Sequence, residues 1–169
     1  MYTFLIVILI LLSFLLYLGF RALFENKHDR KNAFAVKFAL DGLIRRNRLS
    51  ISEIDTLGNK VIALDRKNNK LILVEHRNNV TWEKCLSLGQ LESCKIKKEM
   101  DPLTGCAQIV IMELNFNSIE EPIYFTFYDK SSDRIHELRP RIRKANYWKN
   151  KIQHHMNRVK SGHRLEYVL

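Results

Sequence analysis

Glycine is scarce in this chain, and nowhere does it gather into a loop that could cradle a phosphate. The six glycines among 169 residues form neither a Gly-x-Gly-x-x-Gly turn nor a P-loop. No Gly-x-Ser-x-Gly elbow or His-Glu-x-x-His helix occurs either. The three cysteines, Cys85, Cys94 and Cys106, are odd in number and contain no Cys-x-x-Cys pair. That spacing argues against a disulfide framework or zinc finger, and reduced thiols in a cytosolic core are expected. His154 and His155 are adjacent, so on a helix they point about 100° apart and read as solvated surface. Only three prolines occur, with no repeat or low-complexity tract. No enzyme is expected, and no cofactor or metal is implied.

Charge is missing from Met1 to Phe20, and Arg21 ends that run abruptly. At about 1.5 Å per helical residue, some 20 residues cover the roughly 30 Å of a bilayer's hydrocarbon. Thr3 and Ser13 can bond back to helix carbonyls, and Tyr2 and Tyr17 suit the headgroup layers at either end. A cleaved signal would need a basic start and a small-residue cleavage site. The sequence has neither: no Lys or Arg precedes the run, and Leu18-Gly19-Phe20-Arg21 is a poor match to such a site. A retained anchor, residues 1–21, is expected. Arg21, Lys27, Arg30 and Lys31 follow it, which places the C-terminal side in the cytosol.

The remainder suits one domain of ordinary size. Its charge is uneven: residues 21–48 carry a net +5, residues 49–130 a net −2 and residues 131–169 a net +7. A near-neutral body with basic flanks suits an acidic neighbour, of which the inner leaflet is the nearest. Residues 22–48 read as a juxtamembrane basic helix or linker, helical from about Asp29 to Asn47. Ser50-x-x-Glu53 has the spacing of a cap for a following turn.

From residue 49 the pattern turns to strands. Lys60 to Asp65 and Lys70 to His76 flank Arg66-Lys67-Asn68-Asn69, whose asparagines suit a tight hairpin. Asn78-Asn79 marks a second turn, followed by Val80 to Leu86, a strand through Lys97, and a turn at Asp101 to Gly105. Ala107 to Asn115 and Ile123 to Tyr128 are strands joined by Asn117 to Pro122. In the latter, Ile123, Phe125 and Phe127 are expected to face opposite to Tyr124, Thr126 and Tyr128. Consecutive strands with short links imply an antiparallel sheet curled over one face. A long helix follows, with Asp133 as its cap and an apolar stripe of Ile135, Leu138, Ile142, Ala145, Trp148, Ile152, Met156 and Val159. Pro140 must kink or restart it, and Ser161-Gly162 is expected to end it, leaving 161–169 as a tail.

This order resembles the pleckstrin-homology-like (PH-like) fold, as found in membrane-anchored bacterial proteins with such a domain behind one helix. The likeness rests on Ile62-Ala63-Leu64-Asp65 with Leu71-Ile72-Leu73-Val74, on the two late strands, and on Ala145-x-x-Trp148. It implies an α+β chain: one transmembrane helix, then an antiparallel β-barrel or sandwich over 49–160, closed by the C-terminal helix with its Trp against the sheet. Headgroup binding in that superfamily uses basic residues around the first hairpin. The resemblance therefore implies Arg66, Lys67, Lys70 and Arg77 as lipid or partner contacts.

The second basic flank adds Arg139, Arg141, Arg143 and Lys144, which suit anionic lipid, a protein partner or nucleic acid. Asp65 followed by Glu75-His76-Arg77 also resembles the Asp…Glu-x-Lys order of metal-dependent nucleases. Arg77 stands where that chemistry uses Lys and is a poor proton carrier. The expected function is a single-pass, non-catalytic binding or scaffold module.

Overall fold

The computed structural model describes residues 12–14, 16–17, 31–77 and 79–166, with 158–166 as backbone only. Most of the expected anchor lies outside these residues. Within it, 12–14 and 16–17 are helical, and Leu12, Phe14, Leu16 and Tyr17 are all more than half exposed. Among the described residues, no helix is long and apolar enough to cross a membrane.

Helix α1 spans 31–47; Asp29 and Arg30 of the expected helix lie outside the described residues. Its end is a Schellman-type stop: Arg48 takes a left-handed φ of 50°, and Leu49 N–H donates to Ile44 O at 3.0 Å. An arginine is strained there, so Arg48→Gly is expected to raise stability by about 1 kcal/mol in urea denaturation. A drop in stability would refute that reading of the stop.

Seven strands follow: β1 (Glu53–Thr56), β2 (Lys60–Asp65), β3 (Lys70–Arg77), β4 (Val80–Ser87), β5 (Leu91–Met100), β6 (Ala107–Phe116) and β7 (Ile119–Asp129). They form two antiparallel sheets, ordered β1-β2-β3-β4 and β5-β6-β7, and among the described residues no ladder joins the sheets into a closed barrel. The sequence left barrel and sandwich open, and the sandwich is what forms. A 3-10 turn, Leu88–Gln90, carries the chain between sheets, so the strand expected from Leu86 starts only at Leu91. β1 occupies the stretch where the Ser50-x-x-Glu53 spacing suggests a capped turn. Instead Ser50 N–H and Ser52 tie this stretch to β2 through Asp65 Oδ2 and Leu64 O.

Both faces of the first sheet are covered. Val36, Leu40 and Leu43 of α1 pack on Val61, Ala63, Ile72 and Val74. The opposite face, with Ile62, Leu64, Leu71 and Leu73, joins Met112, Leu114, Phe125, Phe127 and Trp148 in the main core. That explains why β2 and β3 read as unbroken apolar runs instead of alternating.

Helix α2 (Leu138–Glu166) follows a 3-10 turn, Ile135–Glu137. Pro140 falls in its first turn, where a missing N–H is harmless, so the helix starts afresh. Ala145, Trp148, Ile152 and Met156 are buried as the stripe requires. Ile135, however, is 73% exposed because it precedes the helix. Asp133 does not cap the helix; its Oδ2 accepts from Asp129 N–H at 2.8 Å in the preceding loop. The helix also runs past Ser161-Gly162 to Glu166.

Two further differences lie in β7. It begins at Ile119 with Pro122 inside it, which an edge strand tolerates. A register shift between Val110 and Ile111 places an extra residue at Phe127. Beyond that bulge the alternation resets, so Phe127 and Tyr128 are both buried, at 1% each.

Candidate interaction surfaces

Helix α2 bridges two edge strands. On its β1 side, Trp148 Nε1 donates to Asp55 Oδ2 at 2.8 Å and Lys144 Nζ to Asp55 Oδ1 at 2.5 Å. One turn on, Tyr147 Oη and Lys151 Nζ donate to the two oxygens of Glu53 at 3.0 and 2.9 Å. On its β5 side, the Gln153 side-chain amide donates from Nε2 to Cys94 O at 3.2 Å. His155, expected on solvated surface, lies half-buried, with Nε2 2.7 Å from Asn69 Oδ1 of the β2–β3 hairpin.

The eight cations expected to form contacts therefore separate. Arg66 pairs with Glu53, Lys144 with Asp55, and Arg141 with Glu137 at 3.0 Å. The first two reach β1 from the β2–β3 hairpin and from α2, and the third is a local pair four residues apart. Arg77 approaches Asp129 at 3.7 Å. It sits at the opposite end of β3 from Lys70, about 23 Å away at strand rise, so the hairpin cluster implied by the resemblance does not include it. Lys67, Arg139 and Arg143 are exposed with no carboxylate partner among the described residues, and Lys70 is half-buried.

Two of the concave features among the described residues are large enough for a ligand or partner segment. At the end where α1 begins, a polar cleft of about 860 Å³ is lined by Asn59, His76, Arg77, Asp133, Arg134 and Arg141, among others. Its walls are braced by reciprocal bonds between Asn59 and His76, at 2.9 and 2.5 Å, and by His76 Nδ1 to Thr81 Oγ1 at 2.8 Å. The Ser131 hydroxyl and N–H, with Arg77 and Lys60 nearby, hold the Asp129 carboxyl below its usual range against the opposing effect of burial. Its arginines are balanced by Asp133, Glu137 and Asp129, so the cleft carries little excess charge. The second feature is a groove of about 610 Å³ between the edge strands β4 and β7, with Val80, Trp82, Ile119 and Tyr124 along it.

The nuclease-like order does not assemble. Asp65 pairs across from Lys70 and Glu75 from Lys60, five positions along the same ladder, or about 17 Å. Glu75 also lies 3.6 Å from the buried Lys60 ammonium. Asp65 is a hairpin residue: its fully buried carboxylate accepts from Ser50 N–H, Asn68 N–H and Asn68 Nδ2 at 2.7, 2.9 and 2.7 Å. Burial alone would raise its pKa, but these bonds outweigh it and the net shift is downward. A depressed carboxyl stabilises the fold above its ordinary pKa of 3.8 and loses that contribution as pH falls through the folded value. Stability should therefore drop below about pH 4, and Asp65→Asn should flatten that acid limb while costing about 2 kcal/mol at pH 7. An unchanged acid limb in pH-dependent urea unfolding would count against this role.

Among the described residues, no three His, Cys, Asp or Glu side chains gather as a metal site. The thiols are unpaired. Cys94 lies in the core with its pKa pushed up to about 12 by burial, while Cys106 is exposed on the β5–β6 turn and not in the core as expected. Comparison with protein-family models, curated proteins and solved structures gives no match.

Proposed function

We propose that the chain is a single-pass, membrane-anchored binding module of the PH-like kind, held at anionic lipid on the cytosolic side and non-catalytic. The observation that carries this reading is the arrangement of the sandwich. Four strands and three strands are joined at one seam by a Trp-bearing helix, while the β4–β7 seam stays open as a groove. The uncharged Met1–Phe20 segment and the cations that follow it support the anchor and its orientation. Basic side chains near an anionic leaflet each contribute on the order of 1 kcal/mol before screening. The open groove, flanked by two sheet edges, suits an extended segment of a partner protein.

Residues 22–169 alone should bind vesicles of phosphatidylglycerol and phosphatidylcholine in low salt and release in high salt. Equal binding to neutral vesicles would contradict the lipid reading. Nucleic acid is the second reading, favoured by Arg139 and Arg143, which stand one turn apart and exposed on α2. A gel shift with a salt slope that falls when both become Gln would support it. No shift at low salt would remove it.

A further inference from the structure

The outer face of α1 carries two phenylalanines that the fold leaves in water. Phe34 and Phe38 are 72% and 74% exposed, whereas Val36, Leu40 and Leu43 on the inner face are buried. Four residues apart, the two rings stand one above the other. At about 100° per residue, Lys31, Lys37, Asp41 and Arg45 share their third of the helix circumference. All four are exposed, so the rings are bracketed by three cations and one acid.

The same side of the molecule stays basic beyond the helix. Arg48 is exposed at the helix stop, while Arg46 is paired with Glu83 and adds no net charge. Strand alternation puts Lys70 on the α1 side of β3 with Ile72 and Val74, and Lys67 caps the adjoining hairpin. A helix with one face packed on a sheet rarely carries a second apolar stripe. Aromatic rings flanked by Lys and Arg match a segment lying in the headgroup layer.

We infer that the outer face of α1 lies on the anionic bilayer, with Phe34 and Phe38 at the acyl boundary and the surrounding cations among the phosphates. This rests on the anchored reading. Lys31 is eleven residues beyond Phe20, a reach of at most about 40 Å, so an anchor ending there keeps the start of α1 within that distance of the surface. Charge disfavours a second copy as the occupant, because pairing two such faces brings cation against cation. The inference also assigns the other two surfaces: the β4–β7 groove and the outer side of α2 lie beyond the first sheet and remain open to the cytosol.

The full chain, reconstituted in mixed phosphatidylglycerol and phosphatidylcholine vesicles, tests this through Phe38→Trp. With bromine-labelled acyl chains, the added indole emission, measured over the wild-type background of Trp82 and Trp148, should fall by roughly half. In phosphatidylcholine alone the quenching should be much weaker. Phe34→Trp repeats the reading one turn nearer the anchor. Added emission that brominated lipid leaves unchanged at both positions overturns the inference, as does equal quenching in neutral lipid. Blue-shifted emission that is unquenched and reverts on dilution in the bilayer assigns the face to a second copy and also overturns it. A chain that alkaline carbonate strips from the vesicles defeats the anchored reading, and this docking with it.

Discussion

Trp148→Ala is expected to destabilise the domain by about 4 kcal/mol, the range for removing a fully buried aromatic ring. The indole is 1% exposed and its Nε1–H is bound by Asp55, so the substitution empties the core under α2 and removes one of the helix's four side-chain bonds to β1. Trp148→Phe separates the two effects. It keeps most of the apolar volume and leaves Asp55 with Lys144, and should cost only about 1–2 kcal/mol. Asp55→Ala removes the partner of both donors and should fall between them. Urea midpoints at constant slope give the comparison. If Trp148→Ala costs under about 1 kcal/mol, α2 is not what holds the β1–β5 seam.

The second large effect concerns lipid. Replacing Lys31, Lys37, Arg45 and Arg48 with Gln in the 22–169 chain removes four cations from the α1 side. At about 1 kcal/mol each, affinity for phosphatidylglycerol vesicles should fall by about a thousandfold in low salt. Replacing Arg139, Arg143 and Lys149 on α2 should change it far less, because these residues lie on the other side of the first sheet. A larger loss from the α2 substitutions would invert the docking surface. Vesicle co-sedimentation across a salt series measures both.

Much of the fold is legible in the sequence because local patterns and packing agree. β2 and β3 fall within one residue of the expected strands, and Asn69 takes the left-handed φ of 53° that a tight hairpin needs. The apolar stripe of α2 is buried from Ala145 to Met156. The runs Val61-Ile62-Ala63-Leu64 and Leu71-Ile72-Leu73-Val74 carried one further signal: strands apolar on both faces need two covers, and α1 is the second. Features set by distant partners were not legible. The β7 bulge that buries Tyr128 depends on its register with β6, and the 3-10 turn that exposes Ile135 depends on how the chain leaves the sheet.

The candidate contacts divide for the same reason. Arg66, Arg141 and Lys144 look alike in sequence to Lys67, Arg139 and Arg143. The first three are committed to carboxylates, two of them on β1, a strand of only four residues that the pattern did not reveal. The exposure of Phe34 and Phe38 was equally out of reach. Their spacing fits a core-facing helix as well as a lipid-facing one, and only the packing of Val36, Leu40 and Leu43 decides which face is free.

The most direct measurement is alkaline extraction of membranes from cells expressing the full chain, beside cells expressing residues 22–169. The full chain should remain in the pellet through carbonate while the shorter one moves to the supernatant. Recovery of the full chain in the supernatant, or equal retention of the two, would contradict a module fastened to the bilayer by its opening segment.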